Sequence, residues 1–302
     1  MKVIITGANG FIGSAVVKKF YGNGADVVAV IKDENERIDH IKKYARIVYS
    51  DLSDPSELVD KIADGKDSVF YHFAWAGVNG KAKIDYNVQI DNIRMVCNCV
   101  TAAHEVGCKR FLAAGTVAEN ALKSFKDLSS LPLGLLYAVA KNSARNFAEN
   151  LCKNFGLPFV WMQFSNVYGP KNKTGNLVSY TLSTLKTGQP AEFGPADQPY
   201  DFIYVDDLIE AVYRLGMIEN PSRTNYFIGS GKPRILKDYL FEIGKKVGRE
   251  DLIKIGMRTP DGIRYNNEMF DTSALTDEIG DYVLAPFDEA IEYTIRHYDE
   301  KE

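Results

Sequence analysis

Tyr137 and Lys141 have complementary proton chemistry and lie four positions apart in a stretch whose pattern predicts a helix. Residues at this spacing share one helix face. A free tyrosine has a pKa of about 10, and a nearby ammonium group lowers it by favouring the phenolate. The pair can therefore act as a general acid or base near neutral pH. Because the chain contains 17 tyrosines, the spacing gains its meaning only from the motifs around it.

A glycine-rich turn near the start of the chain lies between an apolar run at 3–6 and an amphipathic stretch at 14–20. The first glycine can adopt a positive φ, the second admits a pyrophosphate, and the third lets a helix pack on a strand. The helix amide groups and the positive end of its dipole then face the anion. The turn predicts a dinucleotide site formed by Gly7, Asn9, Gly10, Phe11, Ile12 and Gly13.

Thr116 follows the apolar run at 110–113 through Ala114 and Gly115. A hydroxyl at this position can bond a substrate carbonyl and position it against Tyr137. The alternative is a threonine that caps a helix or stabilises a turn. Taken with the other two motifs, the first interpretation is preferred, and Thr116, Tyr137 and Lys141 are the predicted catalytic residues.

Short apolar runs alternate with helical stretches over the first 165 residues. This order, with strands that are apolar along most of their length, predicts an α/β fold with a Rossmann-type, doubly wound parallel sheet. Ligands bind such sheets at the carboxyl ends of the strands, where the motifs fall. The predicted strands span 27–31, 46–49, 68–73, 110–113 and 158–162, and the predicted helices include 92–106 and 137–154.

The composition of the chain changes after Gly169 and Pro170, where polar segments interrupted by glycines begin. Residues 201–205 and the helix after them predict a return to the sheet domain. We therefore predict a dinucleotide-binding domain at 1–165 and 200–229. A smaller, discontinuous α/β substrate domain is predicted at 166–199 and 230–302.

The charge balance excludes several classes of partner. Lysine and arginine total 36 and aspartate and glutamate 40, giving a net charge of −4. That balance gives no reason to expect nucleic acid or a membrane surface as a partner. No apolar run reaches the length of about 18 residues that a spanning helix needs, so a cytoplasmic protein is expected. The 4 cysteines lack zinc-ligand or redox spacing, which predicts reduced, structural cysteines and no metal site.

With these motifs in place, the chain resembles the extended short-chain dehydrogenase/reductase family, in its nucleotide-sugar epimerase/dehydratase branch. The resemblance runs from Val3 to about Tyr298. Besides the glycine turn, Thr116 and the Tyr137–Lys141 pair, it rests on segments at 51–52, 72–74, 92, 166–170, 201–207 and 226–229.

The resemblance implies roles for individual residues. Tyr137 is the acid/base and Lys141 bonds the nicotinamide ribose, while Asn166 meets the sugar nucleotide. Asp51 and Leu52 are expected near the adenine, and Ala74 lines the pyrophosphate. Phe73 and Asn92 complete the predicted cofactor-binding set.

One departure from the family pattern concerns the cofactor. NAD-dependent members usually carry an acidic residue at the end of the second strand, where this chain has Ile31 followed by Lys32. Losing a carboxylate removes repulsion against a 2′-phosphate, and a cation attracts it. Lys32, with Arg37 as a further contributor, therefore predicts NADP. The alternative is a solvated lysine, with Asp33 serving NAD.

Other departures concern the substrate. The Asp-Glu pair that follows the catalytic threonine in family 4,6-dehydratases is missing, so water elimination lacks its usual residues. Tyr200 stands where the family has an arginine for the nucleotide phosphates, and Gln163 replaces a second arginine. Arg258 or Arg264 is predicted to substitute, the alternative being ordinary surface arginines.

Short segments at 72–77, 115–119 and 269–275 are most similar to the CDP-abequose and CDP-paratose synthase subgroup. That likeness implies an NADPH-dependent reductase of the C4 ketone of a CDP- or dTDP-linked 4-keto-deoxyhexose. The alternatives are a nucleotide-sugar 4-epimerase with tightly held NAD and a non-catalytic dinucleotide-binding sensor or scaffold. By analogy with the fold, a homodimer through the helices at 92–106 and 137–154 is expected.

Overall fold

A computed structural model describes residues 1–125, 127, 131–260 and 262–300 of the chain. The strands are β1 (Lys2–Thr6), β2 (Asp26–Ile31), β3 (Arg46–Tyr49), β4 (Val69–His72), β5 (Arg110–Thr116), β6 (Phe159–Phe164), β7 (Asn166–Tyr168), β8 (Ala191–Glu192), β9 (Pro199–Tyr200), β10 (Phe202–Tyr204), β11 (Asn225–Ile228), β12 (Arg234–Ile235) and β13 (Ile253–Lys254).

The helices are α1 (Phe11–Gly22), α2 (Pro55–Ile62), α3 (Tyr86–Glu105), α4 (Ala118–Ala121), α5 (Leu136–Phe155), α6 (Leu177–Lys186), α7 (Val205–Met217), α8 (Leu236–Val247), α9 (Ser273–Ile279) and α10 (Phe287–Arg296). Short 3-10 helices span Lys81–Ile84, Leu122–Ser124, Leu133–Leu135, Glu250–Leu252 and Asn267–Phe270. No helix in the described part of the chain is both long enough and apolar enough to cross a membrane.

Seven strands form the main sheet in the order β11-β6-β5-β4-β1-β2-β3. The pairs β1–β2, β1–β4, β2–β3 and β4–β5 are parallel, with Thr6 opposite His72 on one side and Val30 on the other. The central strands are apolar and buried along most of their length, as is usual where helices cover both faces of a parallel sheet. The predicted Rossmann-type doubly wound parallel sheet is confirmed.

Several elements extend beyond their predicted bounds, and two of these extensions bear on the candidate site. Strand β5 continues to Thr116 rather than ending at residue 113. Helix α3 begins at Tyr86 rather than at 92, because the Asp85 carboxylate caps it. This carboxylate accepts from the backbone N–H of Asn87 at 2.9 Å. The early start places Gln89 and Asn92 on the same helix.

A row of aromatic rings crosses β4, β5 and β6 in the core. The ring centroids of Phe70 and Phe111 are 5.3 Å apart, those of Phe111 and Phe159 6.4 Å, and those of Phe159 and Trp161 6.3 Å. All four side chains are buried. This row packs the side chains of β4, β5 and β6 against one another in the core.

The chain divides into two compact units. The first contains 1–116, 136–163 and 209–226, and the second contains 117–135, 164–208 and 227–302. The predicted functional domains, at 1–165 with 200–229 and at 166–199 with 230–302, stay a prediction.

Three two-stranded pairs accompany the main sheet: β10–β7 and β13–β8 are parallel, and β12–β9 is antiparallel. The strand at 202–204 pairs with β7 in the second unit, whereas the sequence predicted a return of 201–205 to the sheet domain. Its apolar residues indicate a buried strand but do not identify the partner strand.

Candidate active site

The glycine turn joins β1 to α1 in a geometry that only glycine permits at two of its positions. Gly7 has a φ of +64°, and a Cβ added there would lie 2.6 Å from the Ala74 amide nitrogen. A Cβ on Gly13 would lie 2.1 Å from the Gly7 carbonyl oxygen. The turn is therefore packed tightly against the segment after β4 and against its own helix.

The N-terminus of α1 is open to an anion. Gly10 occupies the N-cap position and donates its N–H to the Gly7 carbonyl at 3.1 Å. In the described structure no side chain caps this end, and its first turn carries no acidic residue. The first-turn amides of Phe11 and Ile12 thus have the positive environment that a pyrophosphate needs. These residues fit a dinucleotide.

A buried contact joins the ends of β1 and β4 beside this turn. Thr6 Oγ1 lies 2.9 Å from His72 Nδ1 and 3.5 Å from the Ala74 amide nitrogen. Burial, assisted by the charge of Lys141, lowers the pKa of His72 to about 3, so the imidazole is neutral. His72 Nε2 is buried without a hydrogen-bond partner among the described residues.

Helix α3 holds the segment that follows β4. The Asn92 side chain accepts from the Ala76 amide and donates to the Ala76 carbonyl, both at 2.8 Å. Asn92 is fully buried, and these two bonds occupy both ends of its amide. Its place in the cofactor-binding set, like those of Phe73 and Ala74, stays a prediction; its observed contacts fix the segment that carries them.

Lys141 lies on α5 with only 4% of its surface exposed. Its ammonium donates to the Ala114 carbonyl near the end of β5 at 2.7 Å. The same nitrogen lies 3.7 Å from the centroid of the Trp75 ring and 5.9 Å from that of Trp161. The ammonium group is therefore fixed between a strand end and an aromatic face.

Tyr137 lies in the first turn of α5, one helical turn before Lys141, and is partly buried. Its ring meets that of Trp75 edge to face, with centroids 6.0 Å apart and an interplanar angle of 89°. The Lys83 ammonium lies 5.7 Å from the Tyr137 ring centroid. A phenol in this setting can donate and recover a proton, because cations stabilise its phenolate. Thr116 is the last residue of β5, two positions after Ala114.

The residues predicted near the adenosine carry charges of both signs. Lys32 is exposed directly after β2, and the Asp33 carboxylate accepts from the Asn35 amide at 2.8 Å. Hydrogen bonds from Ser53, and then the charge of Lys32, lower the pKa of Asp51. Leu52 has a φ of +63°, and its carbonyl accepts from the Asn98 amide.

A carboxylate that the sequence did not single out also lies here. The Asn9 side-chain amide donates to Glu36 Oε2 at 3.0 Å, which ties the segment after β2 to the glycine turn. Glu36 stands in a charged run typical of solvated loops, so no sequence signal separates it from its neighbours.

In the second unit, two predicted substrate residues contact one another. The Asn166 side chain donates to the Asp201 carbonyl at 3.0 Å and accepts from the Tyr200 hydroxyl at 2.9 Å. The Tyr200 ring meets that of Tyr265 edge to face, with centroids 5.9 Å apart. The tyrosine in the family's arginine position thus builds an uncharged hydrogen-bonded pair with Asn166.

The two predicted substitute arginines have separate partners. Arg264 Nη1 lies 2.5 Å from Asp197 Oδ1, and both side chains are more than half exposed. Arg258 Nη2 donates to the Tyr180 hydroxyl at 2.5 Å, and its guanidinium lies 4.7 Å from that ring centroid. Each arginine therefore already has a polar partner.

Two further residues were not predicted from the sequence: Trp75, which lies beside Tyr137, and Gln89, which bonds Trp75. Trp75 follows β4, and its indole N–H donates to Gln89 Oε1 at 3.1 Å. A tryptophan in a loop after a strand is an available signal for a site residue, because loops at strand ends carry function. Gln89 has no such signal, since its role depends on the tertiary position of α3.

Hydride exchange with a nicotinamide requires a pyrophosphate cradle and a group that can protonate oxygen, and the first unit supplies both. The molecule is an NAD(P)-dependent oxidoreductase with the extended short-chain dehydrogenase/reductase fold. The family model described as the NAD dependent epimerase/dehydratase family matches residues 3–229, and the chain belongs to this family.

Sequence relatives agree with this placement, and a solved structure agrees with the fold. A dTDP-4-dehydro-6-deoxy-D-allose reductase from a Streptomyces species is 24% identical over 319 residues, covering 98% of this chain and 95% of the relative. CDP-abequose synthase from Salmonella typhimurium is 26% identical over 244 residues, covering 79% of this chain and 78% of the relative. UDP-glucose 4-epimerase from Thermus thermophilus, solved with NAD, has a TM-score of 0.82 at 18% identity and 99% coverage of both chains.

Proposed function

We propose that this enzyme uses NADPH to reduce the C4 ketone of a nucleotide-linked 4-keto-deoxyhexose, with CDP or dTDP as the nucleotide. The observation that carries the proposal is the fixed arrangement of Lys141 and Tyr137 on α5. A buried ammonium held by the Ala114 carbonyl lies one turn from a phenol. Relatives whose names describe a 4-dehydro sugar reductase and a CDP-abequose synthase support this choice of substrate class.

In the proposed reaction the protein delivers a proton to the C4 oxygen. A bound NADPH supplies the hydride. The Tyr137 hydroxyl donates its proton to the oxygen, which becomes the hydroxyl of a secondary alcohol, and Tyr137 later recovers a proton from solvent. The Lys141 charge stabilises the intervening phenolate, and the Thr116 hydroxyl donates to the same oxygen.

The proposal of NADP rests on the end of β2. Ile31 is the last residue of this strand, so no carboxylate stands at the position where NAD-dependent members place one. The exposed Lys32 that follows can pair with a 2′-phosphate.

Substrate binding is assigned to the second unit. Asn166 and Tyr200 offer a neutral hydrogen-bonding pair for the nucleotide sugar. Arg258 and Arg264 are proposed to contact the diphosphate by exchanging their present partners, Tyr180 and Asp197.

A nucleotide-sugar 4-epimerase with retained NAD is the second candidate. The observation that favours it is the Glu36 carboxylate, which Asn9 holds beside the glycine turn at 3.0 Å. A carboxylate there could serve the adenosine ribose and would repel a 2′-phosphate. A purely dinucleotide-binding sensor is disfavoured, because binding alone requires neither the Thr116 hydroxyl nor the Tyr137 hydroxyl.

We further propose a homodimer through α3 and α5. These helices pack on each other within the first unit, and each exposes a large apolar side chain: Ile90 is 51% exposed and Phe147 59% exposed. Sedimentation of the wild type and of an Ile90→Glu, Phe147→Glu variant tests the surface. A monomeric variant is expected, and an unchanged mass would contradict the proposal.

The decisive experiment is a fluorescence titration of the purified protein with NADPH and NADH. We expect NADPH to be preferred, and Lys32→Glu to reduce its affinity by about tenfold to a hundredfold, since a hydrogen bond to a charged group contributes about 1.5–3 kcal/mol. The matched variants are Asp33→Asn and Glu36→Gln, which test the carboxylates that would serve NAD.

Turnover completes the test. The wild type is expected to oxidise NADPH in the presence of a CDP- or dTDP-4-keto-deoxyhexose. Tight NAD that copurifies, with sugar inversion and no net cofactor consumption, would replace the reductase by the epimerase.

A further inference from the structure

Trp75 is held rigidly beside the Tyr137–Lys141 pair. Its indole N–H donates to Gln89 Oε1 at 3.1 Å, and Gln89 is only 1% exposed. The other end of the Gln89 amide donates to the carbonyls of Gly77 at 3.1 Å and Ala82 at 3.0 Å. A fully satisfied buried amide thus fixes both the ring of Trp75 and the loop on which it stands.

The face of this ring is directed at the Lys141 ammonium. The nitrogen lies 3.7 Å from the ring centroid, inside the range of about 6 Å over which a ring quadrupole attracts a cation. Burial works against the charge, because a lysine removed from water favours its neutral form. The contact with Trp75 and the bond to the Ala114 carbonyl replace part of the lost hydration.

Lys83 and His72 are two further titratable groups near this pair. Lys83, from the 81–84 segment, places its ammonium 5.7 Å from the Tyr137 ring. His72, on β4, is neutral because burial and Lys141 hold its pKa near 3. Arg145, one turn further along α5, donates to the Asn142 side chain. Trp75 contacts both Tyr137 and Lys141.

We propose that Trp75 is a positioning residue that keeps Lys141 charged and fixed beside Tyr137, so that Tyr137 can exchange its proton near neutral pH. The assignment rests on the proposed function, in which Tyr137 is the acid. Trp75 acts through Lys141 and needs no contact with the substrate.

The test measures the pKa of Tyr137 directly by NMR of protein labelled with ¹³Cζ-tyrosine. The resonance that disappears in Tyr137→Phe identifies the residue, and its shift is followed against pH. Trp75→Leu removes the aromatic face and is expected to raise the Tyr137 pKa by about one unit, from the size of a buried cation–π interaction. Trp75→Phe keeps a ring and is expected to produce less than half of that shift.

Combining Trp75→Leu with a second substitution shows whether Trp75 acts on the Tyr137 pKa through Lys141. In Lys141→Met the shift caused by Trp75→Leu should vanish, because the cation through which Trp75 acts is gone. In Lys83→Gln, which removes a second cation near Tyr137, the shift should persist. An unchanged Tyr137 pKa in Trp75→Leu, or a full shift in the Lys141→Met background, would overturn the assignment. If Trp75→Leu does not fold, the smaller shift of Trp75→Phe carries the same comparison.

This readout separates the two proposals because it needs no substrate. A wild type that reduces no 4-keto sugar, yet shows the Trp75-dependent shift, loses the proposed reductase function and retains the Trp75 assignment. A wild type that reduces the sugar, with no shift in any variant, retains the function and loses the assignment.

Discussion

The predicted proton-transfer groups of the first unit and the predicted substrate groups of the second are built differently. Lys141 is almost completely buried and held by a carbonyl and an aromatic face. Arg264 and its partner Asp197 are each more than half exposed. Buried charges are costly and survive only with fixed partners, whereas exposed ion pairs contribute little and exchange readily.

This contrast teaches where the sequence is free to vary. A proton donor must be set at a fixed position and charge state, so its surroundings are rigid. A phosphate contact can be made by any long cation that reaches it, and such cations can replace one another. Tyr200 in the second unit is not such a cation: its hydroxyl donates to Asn166, and it brings no charge.

The largest effect expected is at the proton donor. Tyr137→Phe removes the hydroxyl and leaves the ring, so turnover should fall by about a hundredfold to ten-thousandfold, as for the loss of a general acid. Measurement of kcat with a 4-keto sugar checks this, and NADPH binding by fluorescence, expected to stay nearly intact, is the control. Full activity of the variant would remove Tyr137 from the mechanism.

A substitution in the glycine turn tests whether the predicted dinucleotide site of the same unit is also rigid. Gly7→Ala should abolish measurable dinucleotide binding, because the new Cβ would meet the Ala74 nitrogen at 2.6 Å in a left-handed conformation. The same change should lower the free energy of unfolding by at least about 1–2 kcal/mol, from the positive φ alone. Urea unfolding and NADPH titration report both effects.

Gly22→Ala is the matched control at the far end of α1. A Cβ there meets nothing within 4 Å, and no positive φ opposes it. It should bind NADPH normally and be stabilised by up to about 1 kcal/mol. Equal losses in the two variants would mean that the close approach at Gly7 is unimportant.

A smaller effect on kinetics is expected for the uncharged pair of Tyr200 and Asn166 in the second unit. Tyr200→Phe removes the donor to Asn166 and should raise KM by about fivefold with kcat nearly unchanged, since a neutral hydrogen bond is worth about 1 kcal/mol. Steady-state kinetics against sugar concentration separate the two constants. A change confined to kcat would place Tyr200 in the chemistry rather than in binding.

The smallest effect expected is on stability at the exposed arginine. Arg264→Gln should change the free energy of unfolding by less than about 1 kcal/mol, as is usual for exposed ion pairs. A rise in KM that Asp197→Asn does not reproduce would show that the guanidinium contacts the substrate. Equal KM in the wild type and both variants would leave Arg264 as a surface residue.

The sequence predicts those features that depend on local pattern. Apolar runs that alternate with helical stretches predict the parallel sheet. The glycine spacing at 7–13 predicts the turn, because the close contacts at Gly7 and Gly13 leave no room for a Cβ. These signals succeed because strand burial and backbone approach act directly on residue type.

Features that depend on tertiary placement escape the same reasoning. The pairing of β10 with β7 involves a choice between strands that local hydrophobicity does not encode. Trp75 lies over Lys141 because Gln89 and Asn92 of α3 hold the loop that follows β4. The partners of Arg258 and Arg264 likewise depend on which exposed side chains fold close to them.

The neutral, buried His72 makes this fold sensitive to acid. Its pKa falls from about 6.5 in an unfolded chain to about 3 in the folded protein. Above pH 6.5 neither state binds the proton, so His72 contributes nothing to the pH dependence of stability. As the pH falls from 6.5 toward 3, only the unfolded chain takes up the proton, and each pH unit costs the folded state about 1.4 kcal/mol. The contact with Thr6 that joins β1 to β4 beside the glycine turn is thus also where mild acid begins to favour unfolding.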